Sequence, residues 1–113
     1  MRKVTDGRDY LGDLAPEFAR LNDDVLFGQV WAREASLSPR DRSLVTVAAL
    51  MGGGTLDSSL KGHLKKALEN GVTQEELVEV VTHLAFYAGW PKAWSAFFLL
   101  REALAERDSA AGG

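Results

Sequence analysis

Apolar residues recur three or four positions apart along most of the chain, which is the spacing of one face of an α-helix. Residues 1–12 show no such period, and we expect a flexible arm there. From Leu14 to Trp31 the spacing predicts two short helices or one bent helix, with the polar residues 22–24 available to cap the second.

Four further helices are predicted after residue 38, because each has a start or stop signal. In chain order the signals are Ser38 with Pro39, the glycine run 52–54, Thr55, Gly71, Thr73 with Glu76, Gly89 and Pro91. The polar tail over residues 108–113 is expected to be disordered. The pattern therefore predicts an all-α fold, a single-domain bundle of about five to six helices over residues 1–113.

The helices that begin at Pro39 and Pro91 are apolar almost all round. A helix that is apolar on every face has to be covered on every face, and a chain of 113 residues buries a comparatively small fraction of its surface. We therefore expect a homo-oligomer. The alternative is that the amino-terminal helices of the same chain cover the excess.

Composition excludes several classes of function. The net charge of −3 lacks the basic excess that nucleic-acid binding requires, so we expect no nucleic-acid partner. The sequence shows neither a membrane-spanning apolar run nor a signal-like apolar segment, and we expect a cytoplasmic protein without a membrane partner. Without cysteine, the sequence offers no disulfide, no thiolate nucleophile and no dithiol redox pair.

Two of the predicted helices carry a histidine at a position that suits proton transfer. His63 lies three residues after Leu60 and four before Ala67, at the apolar stripe of its helix, so it is either a core histidine or a catalytic one. Residues 79, 83 and 87 follow each other at four-residue intervals on the next predicted helix. Glu79, His83 and Tyr87 can hydrogen-bond in series there, or form a partly solvated edge.

The remaining candidates are arginines and a possible metal site. Arg33, Arg40 and Arg42 flank the start of the first apolar helix, and an arginine fork suits a carboxylate. For Arg40 we favour ordinary surface charge. Two histidines without the one-turn spacing of a paired metal site give little support to a metal, and we expect none.

Two stretches of the chain together resemble the carboxymuconolactone decarboxylase family. They are WAREASLSPRDRSLVTVAAL and GHLKKALENGVTQEELVEVVTHLAFYAGWPKAWSAF, and the similarity runs from about Phe27 to Arg101. The distinctive motifs are a histidine followed by leucine and two lysines, an Asn-Gly helix stop, a Thr-x-x-Glu restart and Tyr-Ala-Gly-Trp-Pro. The resemblance implies an all-helical, alkyl hydroperoxidase D-like fold that assembles into trimers or hexamers.

The resemblance also implies which residues form the site. His63 is similar to the active-site histidine of the family, with Tyr87 as a second catalytic candidate. The substrate-binding candidates are Arg42, Arg33, Trp90, Phe86 and Trp31, and the secondary candidates are His83 and Glu79.

Some positions depart from the family pattern. The branch similar to alkyl hydroperoxidase D carries a Cys-x-x-Cys pair at the positions of Leu56 and Ser59, and an acidic residue at Ser43, so peroxidase chemistry is excluded. In the decarboxylases we expect glutamate where Ser59 stands and glutamine where His83 stands. These departures leave the substrate open.

The implied reaction is a cofactor-free decarboxylation in the catabolism of aromatic compounds. The substrate would be a carboxylated lactone such as γ-carboxymuconolactone, or a closely related small anionic acid. Its own double bond and carbonyl accept the electrons, so the protein has to hold a spectator carboxylate, surround the departing one and return a proton, for which His63 is suited. The alternatives are an inactive oligomeric binding or scaffold protein of the same fold and another cofactor-free enolising enzyme.

Overall fold

The protein is all-helical over the part of the chain that the structure describes. The structure, a computed structural model, describes the backbone of residues 3–112 and the side chains of residues 3–110. In chain order the elements are α1 (Asp6–Leu11), α2 (Pro16–Arg20), a π-helical segment (Leu21–Val30), α3 (Pro39–Gly52), α4 (Ser58–Glu69), α5 (Gln74–Ala88) and α6 (Trp90–Gly112). The predicted all-α class of about five to six helices is confirmed.

The contacts of the chain form two compact units, one within residues 1–39 and the other within residues 40–113. The first contains α1, α2 and the π-helical segment, and the second contains α3 to α6. The single domain over residues 1–113 stays a prediction.

A buried carboxylate organises the first unit. Asp23 lies in the π-helical segment, and its two oxygens accept hydrogen bonds from the backbone N–H groups of Gly7 (2.8 Å) and Arg8 (3.0 Å) in the first turn of α1. The Arg8 guanidinium lies 3.3 Å from the same carboxylate and also donates to Asp24. Thr5, the N-cap residue of α1, makes no side-chain cap bond. Asp23 therefore caps α1 from sixteen residues along the chain.

The structure differs from the predicted arm and decides between the two arrangements left open for residues 14–31. Residues 6–11 form α1 within the predicted flexible arm of residues 1–12, of which residues 1 and 2 lie outside the described part. Of the two arrangements left open for residues 14–31, the structure shows the continuous one, in which α2 runs directly into the π-helical segment. Residues 22–24 therefore do not cap a second helix, and Asp23 instead caps α1.

The same contacts act on the pKa of Asp23. Burial raises this pKa, but hydrogen bonds from the Asn22 side chain and from the N–H groups of Arg8 and Gly7, together with the Arg8 charge, lower it. The net effect holds the pKa of Asp23 below its ordinary value. The ionised carboxylate is therefore the form that the fold stabilises.

The core of the second unit forms where α4 and α5 pack against α6. Leu60, Leu64 and Ala67 of α4 are fully buried and form its inner stripe. The other fully or nearly fully buried apolar residues are Val47, Met51, Val72, Leu77, Val81, Ala85, Ala93, Ala96, Leu100 and Ala103. On its outer side α6 also pairs with α4, because Lys61 and Lys65 form ion pairs with Glu106.

The cap of α5 agrees with its predicted signal, whereas α4 begins later than predicted. Thr73 Oγ1 accepts from the Glu76 N–H at 3.0 Å, and Glu76 Oε1 accepts from the Thr73 N–H at 2.9 Å, so the predicted capping box is confirmed. Asp57 is the N-cap of α4, which begins at Ser58 rather than near Thr55. Gly71, with φ 100°, follows the end of α4.

Helix α6 continues further than predicted. It includes residues 108–112, where we expected a disordered tail; residue 113 lies outside the described part. Alanine has the highest helix propensity and no stop signal precedes the final glycines, so the helix has no local reason to end at Arg107. Neither α6 nor any other helix among the described residues is long and apolar enough to span a bilayer.

Part of the apolar surface of the second unit is exposed. Val45 on α3 is 61% exposed, and Trp94 and Phe98 on α6 are 59% and 58% exposed. These helices are the two for which the sequence predicted more apolar surface than the chain covers. The homo-oligomer stays a prediction.

The Asp23 cap leads to a testable pH dependence. Because the folded pKa of Asp23 lies below its unfolded value of about 3.9, its stabilisation is complete above that value and is lost as the pH falls through the folded pKa. We expect Asp23→Asn to lower the melting temperature at pH 7, since an amide cannot accept both N–H groups. The difference from the unaltered chain should shrink towards pH 3. Thermal melts monitored by circular dichroism across pH 3 to 7 measure this.

Two comparisons complete the test. Asp13→Asn changes an exposed carboxylate after α1 and should melt like the unaltered chain at every pH. Gly7→Ala should destabilise by about 1–3 kcal/mol at all pH values, because its Cβ would lie 2.7 Å from Ala19 O and from Asp23 Oδ1. If the melting temperatures of the Asp23→Asn variant and the unaltered chain differ by the same amount at every pH, the ionised Asp23 cap is contradicted.

Candidate active site

His63 lies at the edge of the buried stripe of α4. Leu60, three residues earlier, and Ala67, four residues later, are both fully buried, whereas His63 is half-buried. Its Nδ1 atom is buried, and the residue as a whole keeps partial access to solvent. The predicted position beside the apolar stripe is therefore confirmed.

The surroundings of His63 favour its neutral form. Burial lowers the pKa of His63, because a charged imidazolium loses hydration, and the nearby Lys66 charge lowers it further. The ring is therefore mostly neutral at pH 7 in the free protein. A bound anion would act in the opposite direction, since negative charge favours the imidazolium.

Ser59 lies one helical turn before His63. It is exposed in the first turn of α4, and its backbone N–H donates to Asp57 Oδ1 at 2.9 Å. Residues four apart on a helix face each other, so a side chain at this position can reach the imidazole. Here it offers a hydroxyl group rather than the carboxylate that the family resemblance leads us to expect.

The first turn of α3 carries two arginines in different surroundings. Arg40 forms ion pairs with Glu76 and with Asp41, which supports the surface-charge interpretation. Arg42 is half-buried, and its carbonyl oxygen accepts a hydrogen bond from Thr46 Oγ1 at 2.8 Å. Both arginines are partly buried, so Arg42 differs from Arg40 in its contacts rather than in its burial.

Ser43 and Asn70 form a polar contact that the sequence analysis missed. Ser43 is fully buried, and its Oγ accepts a hydrogen bond from Asn70 Nδ2 at 3.0 Å. The bond joins the residue after Arg42 on α3 to the C-cap of α4, two turns beyond His63. A serine among the apolar residues of α3 indicates a buried polar contact. The sequence does not identify Asn70 as its partner, because the Asn-Gly pair indicates only a helix stop.

Glu79, His83 and Tyr87 form an exposed edge of α5, which is one of the two arrangements that their spacing allows. The rings of His83 and Tyr87 stack with centroids 4.9 Å apart, and no hydrogen bond joins them to each other or to Glu79 among the described residues. All three are exposed, Tyr87 by 80%. An exposed face has no low-dielectric surroundings to favour a chain of hydrogen bonds, so ring stacking replaces it.

Two grooves border α5. The α3–α5 groove, of about 580 Å³, has apolar walls with Arg40, Glu76, Glu79 and His83 as its polar members. The α5–α6 groove, of about 730 Å³, has mainly apolar walls that include Trp90, Trp94 and Phe98, with Gln74, Thr82, Arg101 and Asp108 as its polar members. Phe86 packs its ring edge to face against Trp90, with centroids 5.7 Å apart.

The other two predicted residues belong to the first unit. Trp31 is buried and its ring stacks on Phe27, with centroids 6.1 Å apart. Arg33 is exposed, and its backbone N–H donates to Val30 O at 3.2 Å. Their role in substrate binding stays a prediction.

The structure brings some predicted residues together and leaves others apart. His83 meets Tyr87, and Phe86 meets Trp90, whereas His63 is not among the described residues that line either groove. No group of three or more His, Asp or Glu side chains within the described range is placed to hold a metal ion. His63, the half-buried histidine on α4, is therefore the candidate for proton transfer. The pairs of His83 with Tyr87 and of Phe86 with Trp90 are exposed.

Comparison with known proteins identifies the family. A model of the carboxymuconolactone decarboxylase family matches residues 16–102. The chain is 35% identical over 101 residues to a 4-carboxymuconolactone decarboxylase of Acinetobacter baylyi, covering 89% of this chain and 74% of that protein. It is 30% identical over 112 residues to a nitrosuccinic acid decarboxylase of Metarhizium robertsii, covering 92% and 76%. The match over most of the chain confirms the resemblance of its motifs: the protein belongs to the carboxymuconolactone decarboxylase family.

Proposed function

We propose that the protein is a cofactor-free decarboxylase of a carboxylated lactone, such as γ-carboxymuconolactone, or of a closely related small acid. The observation that carries the proposal is the half-buried His63, whose pKa is lowered by burial and by Lys66. A histidine in such surroundings suits proton transfer near neutral pH. Family membership and the decarboxylase names of both relatives support the same class of reaction.

The names of the two relatives describe acids with a shared chemistry. One substrate is a carboxylated lactone with a conjugated carbonyl, and the other is a succinic acid that carries a nitro group. In both, the electron pair left by carbon dioxide moves onto oxygen atoms of the substrate itself. The common class is a small dicarboxylate with a built-in electron acceptor, and this is the class that we propose for the present chain.

The proposed reaction requires from the protein a proton donor and a cation that binds the remaining carboxylate. When the bond from the ring carbon to the carboxylate breaks, its electron pair moves through the double bond onto the lactone carbonyl oxygen and forms an enolate. His63, protonated when the anionic substrate binds, returns a proton to the ring carbon and becomes neutral. Arg42, a partly buried arginine of α3, holds the carboxylate that stays, since Arg40 on the same helix already forms ion pairs with Asp41 and Glu76.

The remaining predicted residues have weaker support. Tyr87 was expected to donate to the enolate oxygen, and Phe86 and Trp90 to surround the departing carboxylate, but all three side chains are exposed. Exposed groups exclude little water, which weakens their electrostatic contribution. Arg33 and Trp31 stay secondary candidates.

Ser59 favours a second candidate function. Because a hydroxyl group stands where we expect a carboxylate, one turn before His63, the chain also fits a member of the family that binds small acids without decarboxylating them. Binding without turnover distinguishes the two. Calorimetry with the dicarboxylate would then give a heat of binding while no carbon dioxide is released.

Removal of the imidazole is the direct test of His63. If His63 delivers the proton, His63→Ala should lower kcat by about 10²–10⁴-fold, the usual range for loss of a general acid, while the fold survives. If the ring serves only packing, the substitution should cost about 1–3 kcal/mol and leave turnover per folded molecule unchanged. Release of carbon dioxide and the melting temperature are measured on one preparation.

The control and the pH profile sharpen this test. His83→Gln, on the exposed face of α5, should change both quantities little. A proton donor has to be protonated in the free protein, so kcat/KM should be constant below the pKa of His63 and fall as the pH rises above it. The lowered pKa places this fall below about pH 6.5. A loss of activity towards acid, or an inactive His83→Gln, would contradict the donor role of His63.

A charge at position 59 should act on His63 directly. Ser59→Glu places a carboxylate four residues before His63, on the same face of α4, and we expect it to raise the pKa of the imidazole. Titration of the His63 ring protons by NMR measures the shift. Ser58→Glu adds the same charge five residues before His63, off that face, and should shift the pKa less. Equal shifts in the two variants would show that residue 59 does not face the imidazole.

Removal of metal ions should leave the reaction intact. The described residues contain no cluster of three acidic or histidine side chains that suits a metal, and the proposed substrate carries its own electron acceptor. Prolonged treatment with a chelator should therefore not change kcat. Recovery of a lost activity on addition of zinc or manganese would show that a metal site had been overlooked.

A further inference from the structure

A polar stripe runs along α4 beside its buried apolar stripe. The members of this polar stripe are Ser59, His63, Lys66 and Asn70, which lie 4, 3 and 4 residues apart. This is the spacing of one helix face, so the four side chains leave α4 on the same side. Ser59 is exposed at the start of the helix, whereas the other three residues are half-buried. His63 therefore belongs to a partly enclosed polar surface.

The carboxyl-terminal end of the polar stripe lies against α3. Asn70 Nδ2 donates a hydrogen bond to Ser43 Oγ at 3.0 Å, and Ser43 follows Arg42 directly in the sequence. Lys66 precedes Asn70 by about one helical turn and follows His63 by slightly less than one. The polar stripe thus leads from the imidazole of His63 through the ammonium group of Lys66 towards the first turn of α3, where Arg42 lies.

Lys66 differs from the other two lysines of α4 in its surroundings. On a helix with about 3.6 residues per turn, Lys61 and Lys65 lie across the apolar stripe from the polar stripe. Both of them form ion pairs with Glu106 of α6. The charge of Lys66 instead acts on His63, where it lowers the pKa of the imidazole. Lys66 is therefore the lysine of α4 that lies beside the candidate proton donor.

The proposed reaction needs a group that stabilises the enolate oxygen. When carbon dioxide leaves, the electron pair of the broken bond moves onto the carbonyl oxygen, which becomes negatively charged. That charge disappears when a carbon of the same conjugated system takes the proton from His63. The proton donor and the group that stabilises the oxygen therefore have to be neighbours. Tyr87, the predicted donor to this oxygen, is 80% exposed on α5.

We propose that Lys66 is a catalytic residue, whose ammonium group donates a hydrogen bond to the enolate oxygen while His63 delivers the proton to carbon. This inference rests on the proposed function. The carbonyl oxygen becomes negative only during the reaction, so a positive charge beside it stabilises the transition state more than the bound substrate. No covalent bond to Lys66 forms or breaks, and its ammonium group keeps its protons throughout the reaction.

Replacement of Lys66 by methionine tests this role through the direction of the change in rate. Lys66→Met keeps an unbranched side chain and removes the charge, so the pKa of His63 should rise and more of the ring should be protonated. If Lys66 acted only through His63, kcat/KM for γ-carboxymuconolactone at pH 7 would rise. If Lys66 stabilises the enolate oxygen, kcat should fall by about 10²–10³-fold, the usual cost of losing one such donor, with little change in KM.

Two further variants complete the kinetic test. Lys66→Arg keeps a positive charge and hydrogen-bond donors, and it should recover part of the lost kcat. Lys65→Met removes the adjacent lysine, which pairs with Glu106, and should keep the kcat of the unaltered chain. Circular dichroism checks that all three variants stay helical. An unchanged or raised kcat in Lys66→Met, or an equal loss of kcat in Lys65→Met, would overturn the role of Lys66.

A titration that needs no turnover separates this inference from the proposed function. The His63 ring protons, followed by NMR, should give a higher pKa in Lys66→Met and the same pKa in Lys65→Met as in the unaltered chain. A pKa that is unchanged in Lys66→Met would overturn the inference alone, since the ammonium group would not lie beside the ring. If the pKa rises but the unaltered chain releases no carbon dioxide from γ-carboxymuconolactone or nitrosuccinic acid, the proposed function fails, and the catalytic role of Lys66 fails with it.

Discussion

Complete burial of the inner stripe of α4 is the constraint on which the candidate site depends. Leu60, Leu64 and Ala67 have no exposed surface, and rotation of the helix by one residue would move them out of the core. With the rotation of α4 fixed, His63 has to lie at the edge of the stripe. Its partial burial follows from the packing of its neighbours, and burial together with the nearby Lys66 charge lowers the pKa of its ring.

The hydrogen bond between Ser43 and Asn70 extends this constraint to α3. A fully buried hydroxyl group without a partner would cost about 1–3 kcal/mol, so the contact holds the first turn of α3 against the end of α4. Arg42 precedes Ser43 directly, and its position along α3 is therefore coupled to the helix that carries His63. A buried polar pair at this position fixes how α3 and α4 align, because sliding of one helix along the other would break its hydrogen bond. An apolar pair would not impose this alignment.

Local signals predicted the second unit well and the first unit poorly. The capping box of Thr73 and Glu76 and the positive φ of Gly71 involve residues within a few positions of each other, and sequence shows them directly. The cap of α1 joins Asp23 to Gly7, and only the folded chain reveals it. The same limit applies to the site: spacing placed His63 on the correct edge, but it could not find Asn70 opposite Ser43 or tell stacking of His83 on Tyr87 from hydrogen bonding.

The aromatic residues illustrate why a residue type alone does not assign a role. Phe86 and Trp90 have the apolar character that a decarboxylation site needs, yet both side chains are exposed, with Trp90 lining the α5–α6 groove and Phe86 packing against it. A ring that is largely exposed excludes little water from a substrate. Neither His63 nor Arg42 lines that groove among the described residues. The proposal that the substrate binds between His63 on α4 and Arg42 on α3 therefore does not depend on these rings.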